Sequence, residues 1–315
     1  MVDPTSELGL KFCIQPKVLN QRRCISTIAM DDLGNIRKIA AKSLRKAKQW
    51  YLGYILCQGL ILAFVIISIF YELNPNLIAV VTFIAVLLTE SVRWRSEYWK
   101  FQGEWAKGRW ELVDGLDVPI NSKVVADWLA DHSHGFLKNV KDQEMRGLDF
   151  TSTRPKGGKR LLENIQESAW WSKHESRRMA WFLGFVLILI IAGAFVALTL
   201  SIASLNAANV KQSGAMVQSI GGVICAVLMF IFSVNLIRLL AHYVSFALEA
   251  DRVLIRCDEL LSEPNISERD ALLTLHDYQN ARSAAPLLPT FIWRIHGKHL
   301  REQWANFRPG QDKNG

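Results

Sequence analysis

Apolar residues gather into four blocks along this chain instead of recurring evenly through it. The first, WYLGYILCQGLILAFVIISIF at positions 50–70, carries no charge. At about 1.5 Å per residue it reaches across a hydrocarbon core of about 30 Å, which predicts a membrane-spanning helix. The second block, 77–89, is shorter, and its length alone fits either a span or a buried soluble helix. The connection YELNPN at 71–76 favours a span, because it has turn chemistry and is only long enough to fold the second helix back beside the first. The third and fourth blocks, 179–202 and 216–237, are charge-free and predict two more spans. The expected fold is an all-α membrane protein with four transmembrane helices in two hairpins, long cytosolic helical extensions and a small helical cytosolic layer.

Periodicity carries the reading beyond the lipid. Trp94, Tyr98, Phe101, Trp105, Gly108 and Leu112 alternate spacings of four and three, with Lys100/Glu104 and Lys107/Glu111 pairs on other faces. This pattern predicts a stalk helix that continues the second span. Leu240, Tyr243, Ala247, Ala250, Leu254, Cys257 and Leu261 form a second seam, predicting an unbroken rod of about 70 Å that starts at Met216 and stops at Glu263-Pro264-Asn265. Ahead of the first span, Asp31 or Asp32 can cap a helix with Leu33, Ile36, Ala40, Leu44 and Ala47 on one side and basic residues elsewhere. That helix is either an extension of the first span packed on the stalk or a basic amphipathic helix lying on anionic lipid. Three membrane helices, the first, second and fourth, are thus expected to continue inward. Between the hairpins, VPINSKVVADWLADHSHGFLKNV predicts a short amphipathic helix, followed by a polar stretch and the loop TSTRPKGGKR. In the tail, 267–307 predicts two helices broken at Pro286 and Pro289. The resulting organisation is an N-terminal segment at 1–49, hairpins at 50–92 and 179–237, a stalk and helical middle at 93–178, and a C-terminal stalk with helices at 238–315.

Charge sets an orientation. The formal net charge is +8 and the pI about 9.3. Lys and Arg crowd the N-terminal segment, the middle and the tail, while the linker 203–215 holds one basic residue, Lys211, and the first hairpin turn holds none. The positive-inside rule then places both termini in the cytoplasm, with Trp50, Tyr51, Tyr54, Trp94, Trp181 and Tyr243 as an inner aromatic belt. The start of the chain lacks the pattern of a signal peptide, so the first span is expected to act as its own insertion signal. Such a basic balance fits anionic lipid or an anionic ligand, and no nucleic acid polymer is expected as a partner. Cys13, Cys24, Cys57, Cys225 and Cys257 form no CxxC pair, so neither zinc site nor disulfide framework is indicated.

Candidate chemistry is sparse. Gly157-Gly158-Lys159-Arg160 lacks the spacing and hydroxyl of a phosphate-binding P-loop. His132 and His134 have no acidic or Cys partner at ligand spacing, and no hydrolase or metalloprotease signature appears, so no metal, cofactor or enzymatic activity is expected. The loop bearing Arg154, Lys156, Lys159 and Arg160 is either a phosphate cradle or a solvated basic loop. Glu90, the one carboxylate within the spans, is expected to form an interfacial salt pair with Arg93. Gln218, Ser219, Gly222, Cys225 and Ser233 make a small and polar strip that either packs helices tightly or borders a pore in an oligomer.

Two stretches, GKRLLENIQESAWWS at 158–172 and YQNARSAAPLLP at 278–289, resemble the SMODS-associated four-transmembrane effector family, as does the two-plus-two span layout. The likeness extends from about Asn35 to Trp304. It implies a bacterial anti-phage effector of the inner membrane, a homo-oligomer that opens or disrupts the bilayer in response to a cyclic or linear nucleotide messenger made by a partner synthase. A membrane scaffold that recruits a cytosolic protein and conducts nothing is the alternative.

Overall fold

The computed structural model describes residues 32–71, 74–133, 135–136, 150, 152–207 and 210–307. Cys13, Cys24, Asp31 and His134, and the side chains of Leu33, Lys211, Gln218 and Ser219, lie outside the described residues. All regular structure among the described residues is helical: α1 (Asp32–Phe70), α2 (Pro75–Leu116), α3 (Ser122–Ala130), α4 (Gly158–Ala207), α5 (Val210–Ser233), α6 (Leu236–Ser262), α7 (Glu268–Ala284) and α8 (Thr290–Phe307). Four helical stretches are long and apolar enough to cross a membrane, and few of their residues are buried inside the protein. Leu60, Phe83, Ile188 and Phe195, for example, are each at least 65% exposed. A surface of that kind is stable only in lipid. The chain is a multi-pass all-α membrane protein whose helical extensions all lie on one side.

The first hairpin turns through Asn74, whose side chain accepts from the Asn76 amide at 2.9 Å, with Pro75 opening α2 where its missing N–H is harmless. Below the spans α1 packs along α2, and this supports the packed-extension reading of the 32–49 helix. Ser96 Oγ donates to the Ala47 carbonyl at 2.9 Å. At Gly103 an added Cβ would lie 2.7 Å from Leu44 Cγ and 3.0 Å from the Leu44 amide nitrogen, so the two backbones touch only because this residue has no side chain.

That close approach moves the expected stalk seam. The buried stripe of α2 runs through Ser96, Trp99, Gln102, Gly103 and Ala106. Trp94, Tyr98 and Phe101 face outward, and of the expected seam only Trp105, Gly108 and Leu112 are at least half-buried. Gly103 and Ala106 set the close approach of α1, with Trp99 packed beside them on the same stripe. The aromatic belt is corrected likewise. Trp50, Trp94 and Trp181 are exposed as a belt requires, but Tyr54 and Tyr243 are core residues, Tyr243 donating to the Leu287 carbonyl at 2.7 Å.

The continuous rods also differ from expectation. The third span, not the fourth, joins the first two in running uninterrupted into the polar layer. Helix α4 has 50 residues, about 75 Å, and its positions 161–170 are buried on every face. The fourth span breaks at Val234-Asn235, so the expected 70 Å rod is two helices. Asn235 adopts φ 52° and ψ 41°, a left-handed conformation that Asn tolerates better than most residues. Below the break the expected seam holds: Tyr243, Ala250, Leu254 and Cys257 are buried, joined by Phe246 and Val253. Helix α6 stops two residues before Pro264, and Pro286 and Pro289 lie between α7 and α8.

Candidate functional site

Three charged residues, Glu104, Lys107 and Glu111, recur at helical spacing on α2, and α7 delivers Arg282 between the two carboxylates. Arg282 Nε lies 2.5 Å from Glu104 Oε2, and its two terminal nitrogens reach Glu111 at 2.6 and 3.2 Å in a bidentate pair. Gly108 admits the approach: an added Cβ would sit 3.0 Å from the Gln279 amide nitrogen, which itself donates to Glu111 at 3.3 Å. One turn earlier, Tyr278 donates to the Ser168 carbonyl at 3.0 Å and lies 2.8 Å from Ser172 Oγ on α4. Lys100 Nζ closes the C-terminal end of α7, donating to the Ser283 and Ala285 carbonyls at 2.6 and 2.5 Å. A single face of α7 thereby ties α2 to α4.

The network is dry. Burial pushes the Glu111 carboxyl up, but Arg282 and Lys107 outweigh it and hold the group below the ordinary carboxylate range. Burial lowers Lys107, with Arg282 adding to the effect. Burial raises Tyr278 to about 12. Just below the third span, burial also raises Glu175 against the pull of Lys48, Lys107 and Arg178. Such an arrangement fixes geometry; no nucleophile paired with a base is part of it. Sequence spacing had set Glu104 and Glu111 in local pairs. Lys107 does lie 3.9 Å from Glu111, but the stronger partner is 171 residues away in the chain. The available signal was the 278–289 stretch itself, because Tyr278, Gln279 and Arg282 all belong to it, and their contacts at Ser168 and Ser172 fall in the 158–172 stretch.

The basic loop is spent largely on the protein's own carboxylates. Arg154 pairs with Glu163 at 2.8 Å, Arg160 with Asp114 at 2.8 Å, and Lys156 with Asp117. Arg160 also donates to the Arg154 carbonyl, and the Gly157 amide to the Gly115 carbonyl at 2.7 Å. Lys159 is exposed. Lys156 and Arg160 therefore fasten the start of α4 to the end of α2, and Arg154 folds the loop back on α4 itself, which leaves little of a preformed phosphate cradle.

In the membrane strip, Gly222 packs on α1, where an added Cβ would lie 3.2 Å from Ile69. Ser233 donates to Gln58 at 2.9 Å. Both contacts favour the helix-packing reading, whereas Cys225 is exposed. Gln58, a buried polar residue inside the first span, escaped the sequence reading although one amide within an apolar run was signal enough. Glu90 meets Arg93 at 3.5 Å, and Arg93 continues to Glu97 at 3.1 Å, the expected interfacial pair extended by one turn. His132 is buried among Trp99, Trp128 and Phe136 with Nδ1 at 2.9 Å from the Trp128 carbonyl. Among the described residues no group of three His, Cys, Asp or Glu side chains is placed to hold a metal ion.

At the helix break the hairpins leave a cleft of ≈ 340 Å³ lined by Tyr51, Arg93, Lys100, Asn235, Arg238 and His242 among others. It touches both hairpins and the α7–α8 linker. Comparison with known proteins leaves the residues as the only basis for assignment: no family model, curated protein or solved structure matches this chain.

Proposed function

We propose that this chain is a membrane effector of a bacterial anti-phage defence system, gated by a nucleotide second messenger and permeabilising the inner membrane as an oligomer, with both termini in the cytoplasm. The observation that carries this reading is α4, a single 50-residue helix whose lower part is the centre of the polar layer and whose upper part is the third span. A displacement of the layer by a bound ligand is delivered to the membrane without a joint in that helix. The resemblance of 158–172 and 278–289 supports the same reading, since these two stretches meet at Tyr278 and hold α7 against α2 and α4. The assignment includes no catalytic step.

Dye release from liposomes containing the purified protein is the test, run with cyclic and with linear oligonucleotide messengers. Release that requires one messenger class, and falls on Lys159→Glu, is expected. Absence of release with every messenger overturns the assignment. The non-conducting scaffold is favoured instead by the loop ion pairs, which make the polar layer rigid without a ligand; conductance unchanged alongside a stable copurifying partner would select it.

A further inference from the structure

The lateral face of α4 and α6 carries a groove of ≈ 480 Å³ that crosses the membrane boundary. That volume is in the range of about 300–1,000 Å³ typical of small-molecule sites. Its polar end holds Lys173, Arg177 and Asp251. Lys173 is engaged by Asp251 at 2.6 Å, whereas Arg177 is exposed and forms no ion pair among the described residues. From Arg177 the groove rises past Gly184 to Ile188 on α4, about 16 Å of helix and roughly half of a hydrocarbon core. Gly184 keeps the floor open, because an added Cβ would meet nothing within 4 Å. Trp181, 76% exposed, flanks the entrance at the depth where aromatic side chains favour the interface. The opposite wall is Leu240, Val244 and Leu248 of α6, which begin more than one helical turn below the break at Asn235.

We propose that this groove is a binding site for an anionic phospholipid, with the phosphate at Arg177 and Lys173 and the upper part of one acyl chain along Gly184 toward Ile188. Three features select this occupant. The groove is continuous with the bilayer-facing surface of α4, where Phe185 and Ile188 are 60% and 65% exposed, so lipid reaches it without crossing water. Its charges lie at the headgroup level only, where Lys173, Arg177 and Asp251 leave a net charge of +1 centred on Arg177, which matches a molecule with one anionic end. Its walls above that level are apolar, which excludes a free nucleotide or inorganic phosphate from the upper half. A lipid seated there bridges the third span to α6 below the break and holds the two together where the fourth span itself is discontinuous. The site requires a bilayer alone and is independent of nucleotide gating.

The test uses phosphatidylglycerol and phosphatidylcholine probes carrying a diazirine on the same acyl position, each incorporated into liposomes with the full chain. Phosphatidylglycerol is expected to label peptides 180–188 and 240–248 several-fold more than phosphatidylcholine does. Gly184→Leu should cut that labelling several-fold while labelling around Phe83 on α2 stays unchanged, the latter showing that the variant remains folded in the membrane. Arg177→Glu should erase the preference for phosphatidylglycerol. Equal labelling by the two probes in the unmodified protein, or labelling indifferent to Gly184→Leu, overturns the proposal. So does a groove left unlabelled while a Leu248→Cys variant cross-links to a second copy.

Discussion

Arg282 is only 8% exposed, yet it satisfies two carboxylates, Glu111 buried and Glu104 partly so, for which α2 alone supplies only the longer Lys107–Glu111 contact. Removing one partner of such a pair typically costs about 3–5 kcal/mol, more than the pair contributes relative to an apolar replacement of the whole. Arg282→Met is therefore expected to destabilise the layer by about that amount, and adding Glu104→Gln and Glu111→Leu to recover much of it. Thermal unfolding in detergent, followed by tryptophan fluorescence, measures both. The sign of the pH dependence follows from Glu111, whose folded pKa is depressed. Its stabilisation is present above the ordinary carboxylate pKa and is lost as pH falls through the depressed folded value. Loosening of α7 should begin only below about pH 4. In Arg282→Met burial outweighs what attraction remains, so the folded pKa of Glu111 moves above the ordinary carboxylate range and the sign reverses: the destabilisation is felt at neutral pH and acid should relieve it. At Gly103 the constraint is steric: even Gly103→Ala places a methyl against Leu44, at an expected cost of about 1–3 kcal/mol.

Elements differ in how plainly the chain announces them. The α6 seam was legible because Tyr243, Ala250, Leu254 and Cys257 repeat at helical spacing and pack chiefly against one partner, α4. The α7–α8 boundary was legible because Pro286 and Pro289 block helix continuation whatever surrounds them. The break at Asn235 was not, since one Asn in an apolar run is compatible with an unbroken helix and only the packing of α5 and α6 selects the left-handed conformation. Asn235→Gly is expected to leave stability within a few tenths of a kcal/mol, whereas Asn235→Val should cost about 1–2 kcal/mol or straighten the helix. Spin labels at Leu228 and Leu248 distinguish those two outcomes for Val through a lengthened distance if the break is lost. The lower part of α4 was illegible for a related reason. Its run LLENIQESAW mixes polar and apolar residues without a face because every face is covered, Glu163 and Asn164 finding partners in Ser152, Arg154 and Asp114 from other segments.

For the whole molecule, immersion in lipid and the placement of all extensions on one side lead to a simple expectation. The protein should require detergent for monodispersity, and reporters fused after Phe307 and in the turn at 71–76 should report from opposite sides of the membrane. The three long spans and the first hairpin were determined by the sequence alone, because uncharged blocks of that length have no stable place in water and the six-residue connection makes the shorter second block return beside the first. The candidate site was decided by the tertiary structure. Arg282 meets Glu111, Tyr278 meets Ser168, and the basic loop finds Asp114 and Glu163 only when segments distant in the chain are packed together. Local sequence specifies which residues avoid water, but the partner of a buried charge is chosen by which surfaces come into contact.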